Sequence, residues 1–523
     1  MIFSAKQSAA TPSTAFSSRR VKAPWPRWQS VCVFVAQLAV ISLCVQQPAN
    51  SEVVDGEVVN KPVPLINPVI YHNDNTHELD GAFGVALSPD GQHLYVTAFD
   101  SDALSVYDVA SDGALFNPRI YRDGYTHELN GAFAVVLSPD GQHLYVTAAV
   151  GDALSVYDVA SDGALSNLRI YRDGDTHELD GAFAVVLSPD GQHLYVTAAV
   201  GDALSVYDVA SDGALSNLRI YRDGDTHELD GAFAVVLSPD GQHLYVTAAV
   251  GDALSVYDVA SDGALSNLRI YRDGDTHELD GATGVAISHD GRHLYVTALA
   301  GGALSLYDVA SDGGLSNPRI YRDDNIHSLV GAWAINLSPD GQNLYVSGYF
   351  RDTRSMFDVD SDGTLSNPRI YRSDNTHYSY STQTAALSPD RQHLYVTAFD
   401  GDALTVYNVV SGGALSNPRI YHNDDTHELN GAWAVTLSLD GQHLYVTAYN
   451  GDALTVYDVA SDGSLSNPRI YRDDKTYELI AGVVISGVAV IGLIVSSAVI
   501  GMIYWSSHRT KSKGDIYGMM NNL

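Results

Sequence analysis

A 50-residue unit repeated down the chain limits the fold more than any other feature. Residues 151–200 and 201–250 are identical: GDALSVYDVASDGALSNLRIYRDGDTHELDGAFAVVLSPDGQHLYVTAAV. The Pro-Asp-Gly turn or a variant of it begins at Pro89, Pro139, Pro189, Pro239, His289, Pro339, Pro389 and Leu439, giving eight copies. A period of this length means a solenoid or a propeller, because one unit cannot bury its apolar face alone.

Each unit reads as four short strands. In the first copy these are Ala82–Ser88, His93–Ala98, Ala103–Val109 and Leu115–Tyr121. Ser-Pro-Asp-Gly supplies a tight turn after the first strand, with proline and glycine where their backbone preferences are wanted. The first strand is uncharged and rich in small residues, which suits the crowded centre of a ring. Pro118, Pro318, Pro368, Pro418 and Pro468 fall inside the fourth strand. Proline cannot donate to a ladder, so this strand belongs at an outer edge. The predicted fold is all-β, a β-propeller of eight four-stranded blades over residues 67–472. The fourth-strand pattern occurs a ninth time, at Asn67-Pro68-Val69-Ile70-Tyr71. Val63–Tyr71 and Leu465–Tyr471 are therefore expected to compete for the closing outer position, leaving one of them as an extra edge.

The chain carries 62 acidic residues against 29 Lys and Arg, a formal net charge of −33. The repeats hold all of it: residues 81–472 contain 52 acids, 19 Arg and no Lys. This argues against a nucleic-acid partner, which needs a basic face. Cys32 and Cys44 are the only cysteines, so a disulfide scaffold and a cysteine-ligated zinc site are excluded within the repeats.

The ends read as membrane signals. Residues 1–50 combine a long basic stretch, the apolar run Val31–Val45 and a small-residue exit, the pattern of a signal peptide. Residues 51–66 form a linker and 473–478 a short tether. Leu479–Trp505 has no charged residue and is long enough to cross a bilayer as one C-terminal transmembrane helix. His508, Arg509, Lys511 and Lys513 follow, which puts the 506–523 tail in the cytoplasm and the propeller outside it. The expected location is a single-pass membrane protein with a periplasmic or cell-surface propeller.

SPDGQHLYVT followed by ALSVYDVASDGAL resembles the YVTN β-propeller repeats of bacterial and archaeal surface proteins. It is also similar to the lactonase-type seven-bladed propellers, which include sugar-lactone hydrolases and muconate-cycloisomerising enzymes. The resemblance recurs through residues 65–472. This chain departs from it in having eight units, and in their near-identity, whereas an enzyme site needs different residues on different blades.

Three features could carry chemistry. The inter-blade loop RDGDTHELDG brings a His-Glu pair to each of several blades, among them His177-Glu178, His227-Glu228 and His277-Glu278. Imidazole and carboxylate are both metal ligands, so a ring of them could hold a divalent cation. The alternative is a solvated turn whose side chains cap strands. The second series, His93 to His443, opens the second strand and reads as structural or simply exposed, and the repeated Asp108, Asp158 and Asp208 read as turn or inter-blade hydrogen-bonding residues. Blade six breaks the pattern with Arg351 and Arg354, and the next loop with His377, Tyr378 and Tyr380. Arginine can hold a carboxylate or phosphate bidentately, and tyrosine can stack on a sugar. The lactonase resemblance implies Arg, His and Glu acting on substrate near the channel mouth. Arg351, Arg354 and His377 match this in residue type only, and a drifted blade explains them equally.

Two functions follow. The first is a membrane-anchored binding or scaffold propeller with a protein or glycan ligand, requiring no cofactor and binding no nucleic acid. The second is a lactonase-type hydrolase or isomerase at blades six and seven.

Overall fold

The computed structural model describes residues 69–71 and 78–472, apart from 125, 175, 225, 275, 325–326, 339–340, 349–352, 373–381, 400, 411–414 and 425. The signal, linker, tether and transmembrane segments of the sequence reading lie outside these residues. No helix among the described residues is long and apolar enough to cross a membrane.

Eight antiparallel sheets follow one another, each with its strands side by side in chain order. Blade 1 consists of Ala82–Leu87, His93–Ala98, Ala103–Val109 and Leu115–Arg122. The remaining blades begin at Ala132, Ala182, Ala232, Ala282, Ala332, Thr382 and Ala432. The inner strands of successive blades touch, and that of blade 8 touches that of blade 1, so the ring is closed. In blade 1 the second strand is buried along its whole length, because neighbouring blades cover both of its faces. The outer strand is mostly half-exposed, as its proline implied.

Turn chemistry fixes each blade. Gly91 donates its N–H to the Ser88 carbonyl (2.8 Å) with φ of 71°, and the Asp90 carboxylate accepts from the Ser88 hydroxyl (2.5 Å). Asn117 adopts φ of 48° beside a bulge that falls between Val106 and Asp108. Its amide donates to Asp108 (2.9 Å), holding the outer strand to the third.

The seams carry their own bonds. The Tyr121 hydroxyl accepts from the Leu165 N–H (2.8 Å), joining the outer strands of blades 1 and 2. The Thr147 hydroxyl accepts from Ala134 N–H (2.9 Å) and donates to the Phe183 carbonyl (3.2 Å), joining inner strands. Blades 8 and 1 meet through the same bonds: Leu115 N–H to Tyr471 (2.8 Å) and Thr447 to the Phe83 carbonyl (3.1 Å).

One of the two closing segments completes the ring and the other is an extra edge, as expected. Leu465–Arg472 takes the fourth position of blade 8, and Val69–Tyr71 adds a fifth strand outside it, parallel, with Ile70 opposite Ile470. The seam side chains complete the ring by themselves, so the N-terminal strand is free to cover the edge.

Candidate functional site

Strand direction places two kinds of loop on opposite faces. One face holds the Ser-Pro-Asp-Gly and Ser-Asp-Gly turns. The other holds the inter-blade loops and the tight turns between second and third strands.

On the first face six of the eight blades build a His-Asp-Arg cluster; blade 6 has Asn343 in place of the histidine and blade 7 has Asn408 in place of the aspartate. His93 Nδ1 lies 3.2 Å from Asp108, which also accepts from Arg119 (2.7 Å). Burial opposes the charge of Asp108, but Arg119, Asn117 and His93 outweigh it and hold the carboxyl below its usual range. The cluster packs on the next blade: a Cβ at Gly163 would lie 2.5 Å from His93 Nδ1. The structural reading of this histidine series agrees with these contacts.

On the second face the loop closes on itself, with Leu179 N–H donating to Asp173 (2.8 Å). His177 sits between blades, stacked on Tyr207 (6.0 Å, 23°) and edge-on to Tyr171 (5.6 Å). Burial lowers its pKa, against a smaller opposing effect of Asp173. Glu178 accepts from Arg222 (2.5 Å). His227 and His277 repeat the arrangement with Tyr257 and Tyr307, and Glu228 and Glu278 pair with Arg272 and Arg322. Each imidazole and its neighbouring carboxylate thus face different partners. Among the described residues no group of three or more His, Cys, Asp or Glu is placed to hold a metal ion. Asp152, in the adjoining tight turn, accepts from Gly181 N–H (2.8 Å). Burial, with Asp180 and Asp173 close by, pushes its pKa up to about 6.

Of the blade-six patch, Arg351, His377, Tyr378 and Tyr380 lie outside the described residues. The Arg354 backbone is placed in the third strand, opposite Ser347 and Tyr371. The flanking residues Gly348, Thr353 and Arg372 meet at the inter-blade end of that blade.

A different asymmetry is visible at the centre. Phe83, Phe133, Phe183 and Phe233 project from consecutive inner strands and pack at 4.5, 4.6 and 4.9 Å between ring centroids. Trp333 meets Phe233 at 5.4 Å, and Trp433 meets Phe83 at 4.6 Å. All six are buried. Above this floor, on the inter-blade side, stand Phe99, Phe399 and Tyr449, each half-buried. Phe399 meets Trp433 edge-on at 5.2 Å and Tyr449 at 6.1 Å, while Phe99 lies 6.3 Å from both Phe83 and Phe133. Blades 2 to 4 carry Ala149, Ala199 and Ala249 at the same position. Among the described residues, aromatic rings stand at this position in blades 7, 8 and 1; blade 5 carries Leu299, and Tyr349 of blade 6 lies outside the described residues. Burial, followed by the adjacent Asp100 carboxylate, raises the Tyr449 pKa. Asp80 and Asp452 lie close to the same phenol. The sequence held one signal for this crescent, Phe-Asp or Tyr-Asn where blades 2 to 4 have Ala-Val.

A family model described as lactonase, 7-bladed beta-propeller, matches residues 71–227, 172–323 and 232–419. The overlapping matches reflect the repeat, and the eight blades exceed the seven of that description. Sqt1 from Chaetomium thermophilum has a similar fold, at 17% identity and a TM-score of 0.58, covering 76% of this chain and 100% of that one. The periplasmic gluconolactonase PpgL of Pseudomonas aeruginosa aligns at 20% identity and a TM-score of 0.48, covering 70% and 98%. A 6-phosphogluconolactonase-like protein of Bacteroides fragilis aligns at 17% and 0.46, covering 66% and 94%. No curated protein sequence matches the chain.

Proposed function

Since the chain belongs to the lactonase 7-bladed β-propeller family, we propose that it serves as a binding propeller of that family, anchored by Leu479–Trp505 outside the cytoplasm. The observation that carries this reading is the use made of the repeated polar residues. His177, Glu178 and their counterparts hold blades together, whereas the side chains that differ between blades gather at the inter-blade mouth. A protein or glycan ligand taken at that mouth would meet a surface unlike that of any other sector. The family's hydrolases supply the second reading, with Arg351, Arg354 and His377 acting on a lactone.

The full chain, immobilised in micelles, is expected to retain a protein or glycan ligand from an extracytoplasmic extract and to turn over no sugar lactone. Lactone hydrolysis that disappears in the Arg351→Ala/Arg354→Ala variant would replace the binding reading with the enzymatic one. A tag after residue 506 that is protected from external protease, with the propeller cleaved, is the expected topology.

A further inference from the structure

The aromatic crescent has a chemical preference that the alanines of blades 2 to 4 lack. Three rings stand half-buried over the aromatic floor, so their exposed surfaces are held in place by packing. Aromatic faces carry partial negative charge and attract cations within about 6 Å of the ring centroid. Carboxylates surround the same place. Asp100 is adjacent to the Tyr449 phenol, Asp80 lies close by, and Asp452 accepts from Gly81 N–H (3.2 Å) across the seam between blades 8 and 1. An anionic ligand would be repelled here, whereas a hard metal ion would find rings in place of most of its oxygen ligands. A guanidinium or ammonium group satisfies both features, stacking on the rings and pairing with the carboxylates.

Resting on the binding reading above, we infer that Phe99, Phe399 and Tyr449, with Asp100 beside them, form a recognition site for a basic side chain of a partner protein. The propeller's net charge would steer such a partner inward, and the crescent would select among basic segments. Blades 2 to 4 show that the ring folds with alanine at this position, so Phe399→Ala/Tyr449→Ala removes the wall while reproducing a residue the fold already accepts.

The test is calorimetric titration of the full chain in micelles with N-acetyl-arginine amide, and with the uncharged citrulline analogue as control. Saturable binding of the arginine probe is expected, at least about tenfold tighter than that of citrulline and at least about tenfold weaker in Phe399→Ala/Tyr449→Ala. Failure to saturate, equal binding of citrulline, or equal binding by the variant would each overturn the inference. A protein or glycan ligand retained equally by wild type and variant, with no probe binding, would remove this inference and leave the binding propeller standing. Absence of any retained ligand, with the probe still bound at the crescent, would do the reverse.

Discussion

Blades 2 to 4 and blades 7, 8 and 1 are built on the same frame and differ at one end. On the turn face the two sectors share their packing, Gly163 of blade 2 on His93 and Gly463 of blade 8 on His393, and differ at Asn408 and Leu439, where blades 2 to 4 have aspartate and proline. At the inter-blade mouth they part, with Ala149, Ala199 and Ala249 against Phe399, Tyr449 and Phe99. One end of each blade has little freedom, because the side chain that opens its second strand is packed against a turn of the next blade. The other end can change without opening the ring.

The sharpest way to break this comparison is to substitute at both ends. Gly163→Ala is expected to cost about 2–4 kcal/mol, because its Cβ would enter the His93 ring and its φ of 72° disfavours any side chain. Phe99→Ala exposes the floor but leaves every seam bond intact, so its cost should be clearly smaller in the same denaturant titration. Equal losses would remove the distinction between the two faces.

Removing a seam hydroxyl comes next. Tyr121→Phe leaves the Leu165 N–H without its acceptor, at about 1–3 kcal/mol. Tyr471→Phe is expected to cost a similar amount at the seam where no chain links the blades, and to speed proteolysis there as well. Limited digestion of the two variants side by side checks this.

Titration separates the faces more gently. Asp108, Asp158 and Asp208 are held below 3.8, so their contribution to stability is present above that value and is lost as pH falls through their folded pKa values. Asp152 has the opposite sign. Its raised pKa favours the fold below 3.8, and this contribution disappears as pH rises through about 6. Asp152→Asn keeps an acceptor for Gly181 and suits a φ of 51°. It should therefore raise the Tm slightly at pH 8 and leave it unchanged at pH 4, the smallest effect of the set.

Much of the ring was legible beforehand. Turn spacing marked the blades and Pro118 and its counterparts marked the outer strand, whereas the contact between His93 and Asp108 appears only in the fold. The site was less so. Tyr121 and Leu165 are 44 residues apart, and the rings of Phe83 and Trp433 belong to opposite ends of the ring's sequence. No local pattern announces such pairs. Nor does a local pattern announce the register irregularity between Ala82 and Val85 of the inner strand.

The sequence by itself determined the number of blades, the order of strands within each and which strand lies outermost, since these depend on local turns and on where proline can stand. Only the tertiary structure decided that Leu465–Arg472 and Val69–Tyr71 are seated together, that the loop histidines and glutamates are shared among different partners, and that the aromatic rings of distant blades converge. Those outcomes depend on closure, which brings blades 8 and 1 together and lets side chains hundreds of residues apart compete for the same space.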